Sequence, residues 1–469
     1  MQTTSGGDAS TKTIRAVLDG CADCDTCRFL MEESCLFFPE LYRLYDEEKE
    51  HRRTVGEKDL RRLSELCTLC GLCPCPDIPM DVIRGKTERV RQYGMPRRIR
   101  WLADVQTFGQ MGRIAPRLFN RLLAFAPVCG MVRKAMGIHP DRRLPALPAE
   151  SFFDWARRAG LDRKPDQGPK VAYFAGCSAG YLFPEVARAA VTFLRNNGIA
   201  VYVPSQQCCG MPTLVEGNRK TTLGRLGANL RTLLQAVGEG FTVVCSCPTC
   251  GFLMKVLLRQ GAYFSNAYQR EVGAGPDEIK VPDESRGGDG FVRLKKNLYP
   301  QLLKDDAYFS GFDALERIRL SENVMDLGEF LARWYKDKWL SVRFGEVPGR
   351  MVYYAPCHQR EQKIKTPYLD LMQRIPGLAV ASVGSVMDCC GMGGSLGYKQ
   401  EFYEESIRLA TPLIEKIRAA APDAIVTDCL SCRLQFQHLL PYPVYHPLEL
   451  LARGCEGLCG GSYWLKNKL

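Results

Sequence analysis

The chain has no apolar run of the roughly 18 to 20 residues that a membrane-spanning helix needs. Its best stretch, Leu122 to Val132, is shorter and is broken by Pro127 and Gly130. The opening segment, Met1 to Lys12, is polar and lacks the apolar core of a secretory signal. Acidic residues are scarce in one region: the sixty residues Arg84 to Arg143 hold fourteen Lys or Arg against only Glu88, Asp104 and Asp141, a local balance of +11 that equals that of the whole chain. A convincing flavin or nicotinamide fingerprint is also missing. The run Gly391-x-Gly393-Gly394-x-x-Gly397 follows a cysteine pair, and its glycines are read as positions of close backbone approach. These absences argue against a spanning or secreted protein and against a dinucleotide enzyme. They point to a soluble or peripheral chain in a reducing compartment, cytoplasmic or on the inner face of the cytoplasmic membrane.

What the chain does have is cysteine, 22 in 469 residues, with globular composition (46% hydrophobic, 25% charged) and length for two or three cores. Clustered cysteines in a large reduced protein bind metal more often than they form disulfides, because a thiolate is a strong soft ligand. Cys21-x2-Cys24-x2-Cys27 and Cys67-x2-Cys70-x2-Cys73 each offer three thiolates at the spacing of a [4Fe-4S] cubane, whereas tetrahedral zinc usually pairs two Cys-x-x-Cys knuckles. In two-cluster ferredoxins the fourth ligand follows the third cysteine by three residues, precedes proline, and serves the other cluster. Cys75, before Pro76, comes early and Cys35 comes late. The exchanged assignment places Cys75 with the first triad and Cys35 with the second. An oxidised cubane with four thiolates carries about −2, so much of the basic excess answers the clusters, and no nucleic-acid partner is expected.

From Lys170 onward the sequence repeats. Lys170-Val-Ala-Tyr-Phe-Ala-Gly-Cys177 is echoed by Arg350-Met-Val-Tyr-Tyr-Ala-Pro-Cys357, and corresponding cysteines keep offsets of 180 to 182 residues. Each copy reads strand, cysteine, helix, strand, Cys-Cys-Gly, helix, strand, Cys-x-x-Cys. The expected strands are 171–175 and 351–355, 199–203 and 378–383, then 241–244 and 424–427, with helices including 185–195 and 404–419. Alternation of this length implies parallel βαβ units, with ligands just past the carboxyl ends of the strands. Each copy offers five thiolates: Cys177, Cys208, Cys209, Cys247 and Cys250, then Cys357, Cys389, Cys390, Cys429 and Cys432. Adjacent side chains in extended backbone diverge, so a vicinal pair bridges different irons, and five ligands suggest a more open cluster than a cubane. A thioredoxin-like pair or a vicinal disulfide is the competing reading, and neither explains the full doubled set. Cys129, Cys245, Cys455 and Cys459 are read as structural, with Cys245 packed at a strand end.

The fold class expected is α/β: a mostly helical dicluster ferredoxin-like domain (1–96), a basic helical connector (97–165), a first cysteine-rich module (166–264), an insertion with linker helices (265–345) whose first part looks loop-like, and a second module (346–469), the two βαβαβ modules in a pseudo-twofold arrangement. In the connector, Leu118, Leu122 and Phe125 share one helical face while Arg113, Arg117 and Arg121 line another. That pattern suits either an anionic membrane surface or a solvated, partner-contacting face.

These motifs resemble those of the CCG-domain iron–sulfur proteins, which include the iron–sulfur subunit of anaerobic glycerol-3-phosphate dehydrogenase and the catalytic subunits of heterodisulfide reductase. The likeness to the former lies in the order of parts, in Asp141-Arg142-Arg143-Leu144-Pro145, and in Ala355-Pro356-Cys357-His358, Cys389-Cys390-Gly391 and Val426-Thr427-Asp428-Cys429. That relative lacks the first cysteine of the last pair in its first copy, whereas Cys247 and Cys250 are both present here; a full pair of copies is what heterodisulfide reductase uses to hold two noncubane [4Fe-4S] clusters. The resemblance therefore implies two cubanes and one or two noncubane clusters. Four clusters without a flavin motif describe a wire that takes electrons from a flavoprotein dehydrogenase or an electron-transfer flavoprotein and passes them to a quinone or another carrier. The alternative is an enzyme reducing a disulfide at the two CCG clusters; His358, beside Cys357, is read first as a structural hydrogen-bonding residue and, in such an enzyme, as a proton donor.

Overall fold

The computed structural model describes residues 8–456 apart from 76, 113–114, 284–289, 299–302 and 340–341. Ten strands are described: β1 (Lys170–Phe174), β2 (Ala200–Tyr202), β3 (Thr242–Cys245), β4 (Glu278–Pro282), β5 (Phe291–Lys295), β6 (Val324–Asp326), β7 (Gly349–Tyr353), β8 (Leu378–Ser382), β9 (Ala424–Val426) and β10 (Val444–Tyr445). They form two four-stranded parallel sheets, ordered β2-β1-β3-β6 and β8-β7-β9-β10, and an antiparallel pair β4-β5. The central strand β1 is an apolar run because helices cover both faces of the sheet, and Val171, Ala172, Tyr173 and Phe174 are all buried.

The repeat extends one βα unit beyond the expected strands. Val324-Met-Asp-Leu-Gly-Glu329 forms β6 and opens the helix Leu327–Lys336, as Val444-Tyr-His-Pro-Leu-Glu449 forms β10 and opens the helix Pro447–Glu456. Their offset is 120 residues instead of 180 to 182, because the first copy carries an insertion of about 60 residues ahead of β6. The loop-like first part of that insertion folds as the β4–β5 hairpin, with Ile279 opposite Leu294 and Val281 opposite Val292. Gly287 and Gly288 lie outside the described residues.

The two copies share one core, in which Val171, Tyr173 and Val191 pack with Met351, Tyr353 and Leu448. Contacts across it are reciprocal. The helix Pro184–Asn196, which leads into β2 of the first copy, packs on the last helix of the second, Pro447–Glu456; the last helix of the first copy, Leu327–Lys336, packs on Pro367–Met372, which leads into β8 of the second. The N-terminal region is helical, with Ala9–Cys24, Phe37–Lys49, Glu57–Leu66 and Asp77–Tyr93 packed round Leu18, Leu41, Leu63 and Val82. It joins the two copies through Leu69, Met80 and Ile83 on the first and Leu396 and Phe402 on the second. The connector supplies the helices Arg97–Leu102, Val105–Gly112, Pro116–Ala124, Ala126–Met136 and Phe152–Arg158. No helix among the described residues is long and apolar enough to cross a membrane.

Candidate cluster-binding sites

The first triad sits at a helix end. Cys21 and Cys24 close the helix Ala9–Cys24, Asp25 turns the chain in the left-handed region (φ +56°) with its N–H on the Cys21 carbonyl, and Cys27 opens the next helical turn. The second triad occupies the loop between Glu57–Leu66 and Asp77–Tyr93. Cys75 and Cys35 are crossed between them. Burial, then the neighbouring Cys27, Cys75 and Cys24, push the Cys21 thiol up to about 12. Burial, then Cys70 and Cys67, push Cys35 up to about 12 as well. Burial raises Cys73 further, and the groups acting on it are Cys67, Cys70 and Cys35 of its own set, then Cys27 of the other.

In each cysteine-rich copy the thiols come from three strand ends. Cys177 follows β1, where Gly176 takes φ +70° and a Cβ would stand 2.9 Å from the Cys250 Sγ. Cys208 and Cys209 follow β2, and Cys247 and Cys250 follow β3. Cys177 and Cys208 have their sulfurs 3.3 Å apart, and Cys209 and Cys247 each interact with Cys250, so all five belong to one buried group. In the second copy the sulfurs of Cys390 and Cys432 are 3.1 Å apart, Cys389 and Cys429 adjoin them, and Cys357 lies near Cys70, Cys429 and Cys390. Cys245 stands aside, its thiol on the Met325 carbonyl at 3.7 Å. Cys129 and Cys455 are buried in helices, and Cys459 lies outside the described residues.

One cavity of about 120 Å³ is lined by Cys177, Cys209, Cys247 and Cys250 from the first copy, by Cys357, Cys389, Cys390, Cys429 and Cys432 from the second, and by Cys70 of the N-terminal region. A second cavity joins Cys35, Cys67, Cys70 and Cys73 to Cys389. The thiols thus run in a row. Cys24 and Cys75 are exposed, Cys27 approaches Cys73, and Cys70 and Cys389 lead to the space between the two copies. No disulfide is closed among the described residues, and no three His, Cys, Asp or Glu there converge as a shell for a single ion. Crowded thiols supplied in sets of four and five, most of them buried or half-buried, are the donor chemistry of iron–sulfur clusters, whose irons are shared among several sulfurs.

His358 bridges three parts of the molecule. Its Nε2–H donates to the Leu69 carbonyl at 2.9 Å, so Nδ1 of the neutral ring accepts from the Thr249 hydroxyl at 2.9 Å, and the ring stacks on Phe252. Burial holds its pKa below the usual range, which favours that neutral form. Behind the cysteines lie groups that the sequence reading did not single out. His446 is fully buried, with Nε2–H on the Ser246 carbonyl at 3.1 Å between Cys245 and Cys247, and burial drives it down to about 3. Lys86 donates to the Cys67 and Val215 carbonyls, at 2.8 and 3.0 Å, and Lys399 pairs with Glu216 at 3.0 Å, so these charges tie the N-terminal region to both copies. No local spacing marks them, because the contacts that join the regions span more than a hundred residues.

The glycine run beside Cys390 is used for close approach. Gly391 (φ +77°) lies against the Ser406 carbonyl and Gly393 against Thr68. The model of the CCG family, a cysteine-rich domain, matches residues 171–255 and 351–437. The chain carries two CCG domains. The matched segments hold the first three strands of each parallel sheet in chain order, and most of their cysteines line the cavity between them. Among its relatives is one of the proteins that make up the anaerobic glycerol-3-phosphate dehydrogenase of Escherichia coli, 24% identical over 357 residues, which cover 75% of this chain and 76% of that one. Another, from the fumarate reductase (CoM/CoB) of Methanothermobacter marburgensis, is 27% identical over 276 residues, covering 58% of this chain but 42% of that protein. Lactate utilization protein A of an Exiguobacterium strain is 23% identical over 298 residues, 61% of this chain and 99% of that one.

Proposed function

We propose that this CCG protein is an iron–sulfur electron-transfer subunit that relays electrons between a flavoprotein partner and a quinone or another carrier. The observation that carries this reading is the row of four thiol groups from an exposed end at Cys24 and Cys75 to the enclosed space between the two CCG copies. Clusters held there supply one-electron redox centres. The first group is Cys21, Cys24, Cys27 and Cys75, the second Cys67, Cys70, Cys73 and Cys35, both suited to cubanes, and the two five-cysteine sets suit noncubane [4Fe-4S] clusters. The crossing of Cys75 and Cys35 supports the exchanged assignment. The protein matrix orients the thiolates and keeps water from the inner groups. Exposed Phe29 and Leu30, beside the first triad, form an apolar surface on which a donor flavoprotein can dock. The similarity to components of a glycerol-3-phosphate dehydrogenase and of a fumarate reductase supports a place in a multi-subunit oxidoreductase.

One observation favours a second reading: four thiols of the first set and all five of the second line one cavity, where a small disulfide could meet both. Anaerobic assay separates the two. A relay is inert toward disulfides on its own and passes electrons from a reduced flavoprotein to a quinone analogue. Rapid, cluster-dependent disulfide turnover without a partner, abolished by Cys209→Ser or Cys390→Ser, would establish the reductase instead.

A further inference from the structure

The connector encloses an apolar pocket of about 150 Å³, walled by Trp101, Phe108, Phe119, Leu123 and Met136 and by Tyr398 of the second CCG copy. An apolar cavity of that size holds one benzene-sized ring. Its inner end is common to the cysteine-lined cavity, for Ser178, Met392, Ser395 and Ser431 border both. Ser178 follows Cys177 and Ser431 precedes Cys432, so hydroxyls that can donate to a ring carbonyl stand beside the thiols of both copies. At the outer end, no residue of the helix Pro116–Ala124 is buried. Phe119 and Leu123 face the pocket from this helix, while Leu118 and Leu122 on the adjoining face, and Phe125 just past its end, are 59%, 46% and 61% exposed. The Asn120 amide donates to the Leu147 carbonyl at 2.8 Å and accepts from the Leu147 N–H at 2.9 Å, which ties the helix to the chain that follows Ala126–Met136.

We propose that this pocket binds the ring of an apolar two-electron carrier of the quinone class, admitted between the connector helices and held within reach of both CCG thiol groups; this rests on the relay reading. Aromatic walls suit a planar ring, with Phe108 and Phe119 set edge to face at 5.8 Å. Hydroxyls at the inner end suit ring carbonyls, whereas the methyl end of a lipid chain would leave them unmatched. The exposed apolar face flanked by Arg117 and Arg121 suits entry from a lipid surface. Reduction of the ring takes two electrons, which originate in the reduced flavin of the partner, and two protons from water, giving the hydroquinone.

The test is equilibrium dialysis of the oxidised, anaerobically purified full chain against tetramethylbenzoquinone, which has no ring hydrogen for a thiol to displace. One saturable site is expected. Leu123→Trp, which fills the pocket, should weaken it by about tenfold or more, and Leu118→Gln, on the outer face, should leave it within about twofold. If Leu123→Trp fails to fold, Val132→Trp narrows the same pocket from the next helix, and the same loss is required. Equal binding by wild type and the filled variant overturns the site, as does displacement of the quinone by a short-chain phospholipid at lower concentration. Electron passage from reduced flavoprotein to ferricyanide is measured alongside. Passage without quinone binding sinks the site and leaves the relay standing, while binding without passage to any acceptor supports the site and sinks the relay.

Discussion

At Gly391 the backbone has φ +77°, and a Cβ would lie 2.1 Å from the Ser406 carbonyl oxygen. Its N–H also points at the Cys389 sulfur, 3.3 Å away. Gly391→Ala therefore combines a strained backbone with a clash against a helix that cannot retreat cheaply, and should cost about 2–4 kcal/mol. The measurement is chemical denaturation together with the paramagnetic signals of the loaded protein, in which the second CCG centre should change and the N-terminal centres should not. The proposed exchange of the fourth ligands gives a second residue-scale expectation. Cys75→Ser should damage the centre held by Cys21, Cys24 and Cys27, because Cys75 lies close enough to act on the Cys21 and Cys27 thiols. Site-selective spectroscopy showing loss at the Cys67 group alone would overturn that grouping.

The element at which the repeat departs most from its sequence expectation is the fourth βα unit. Asp326 ends β6 and caps the helix Leu327–Lys336, its Oδ1 accepting from the Gly328 N–H at 2.8 Å, while its Oδ2 is buried without a hydrogen-bond partner. Burial raises its pKa from 3.8 to about 7. The folded state thus prefers the protonated acid: the stabilising contribution is complete below about pH 4 and is lost as pH rises toward 7. Asp326→Asn keeps the cap and cannot ionise. Between pH 4 and pH 8 its stability relative to wild type should therefore improve by up to about 4 kcal/mol, read from denaturation midpoints at the two pH values. A difference that does not change with pH would show that Asp326 is not carrying a buried charge.

For the molecule as a whole, the row of thiols matters only if the N-terminal region stays seated on the two copies. Glu216 is central to that seat. Burial raises its pKa, but the buried Lys399 and Lys86 outweigh burial and hold it below the usual carboxylate range. Glu216→Ala takes away the nearer carboxylate of Lys399, leaving only Glu65 at 3.8 Å, and the main negative charge facing the buried Lys86, and should cost about 3–5 kcal/mol. The expected signature is retained iron with slowed electron passage from the N-terminal centres to the CCG centres, followed by stopped-flow spectroscopy. If all four groups hold [4Fe-4S] clusters, anaerobically purified protein should hold about 16 iron atoms per chain. Stoichiometric zinc, or about 8 iron after careful reconstitution, would show that one pair of motifs has been misread.

The sequence by itself determined the doubled module, the three leading strands of each copy and the cysteine sets, because ligand spacing and the apolar runs of parallel strands are local and survive without contacts. The vicinal pair and the Cys-x-x-Cys of each copy declared themselves at nearly constant offsets, 181 and 182 residues. The fourth strand did not, since the insertion shifts its offset to 120 residues. Nor did the hairpin Glu278–Lys295, whose glycine-rich surroundings read as loop. Only the tertiary structure decided that both cysteine sets border one cavity, that His358 joins three regions, and that Phe119 and Leu123 close an apolar pocket against Tyr398. Each of these depends on groups brought together from distant parts of the chain by a shared core, and burial, unlike spacing, is a property of the packed whole.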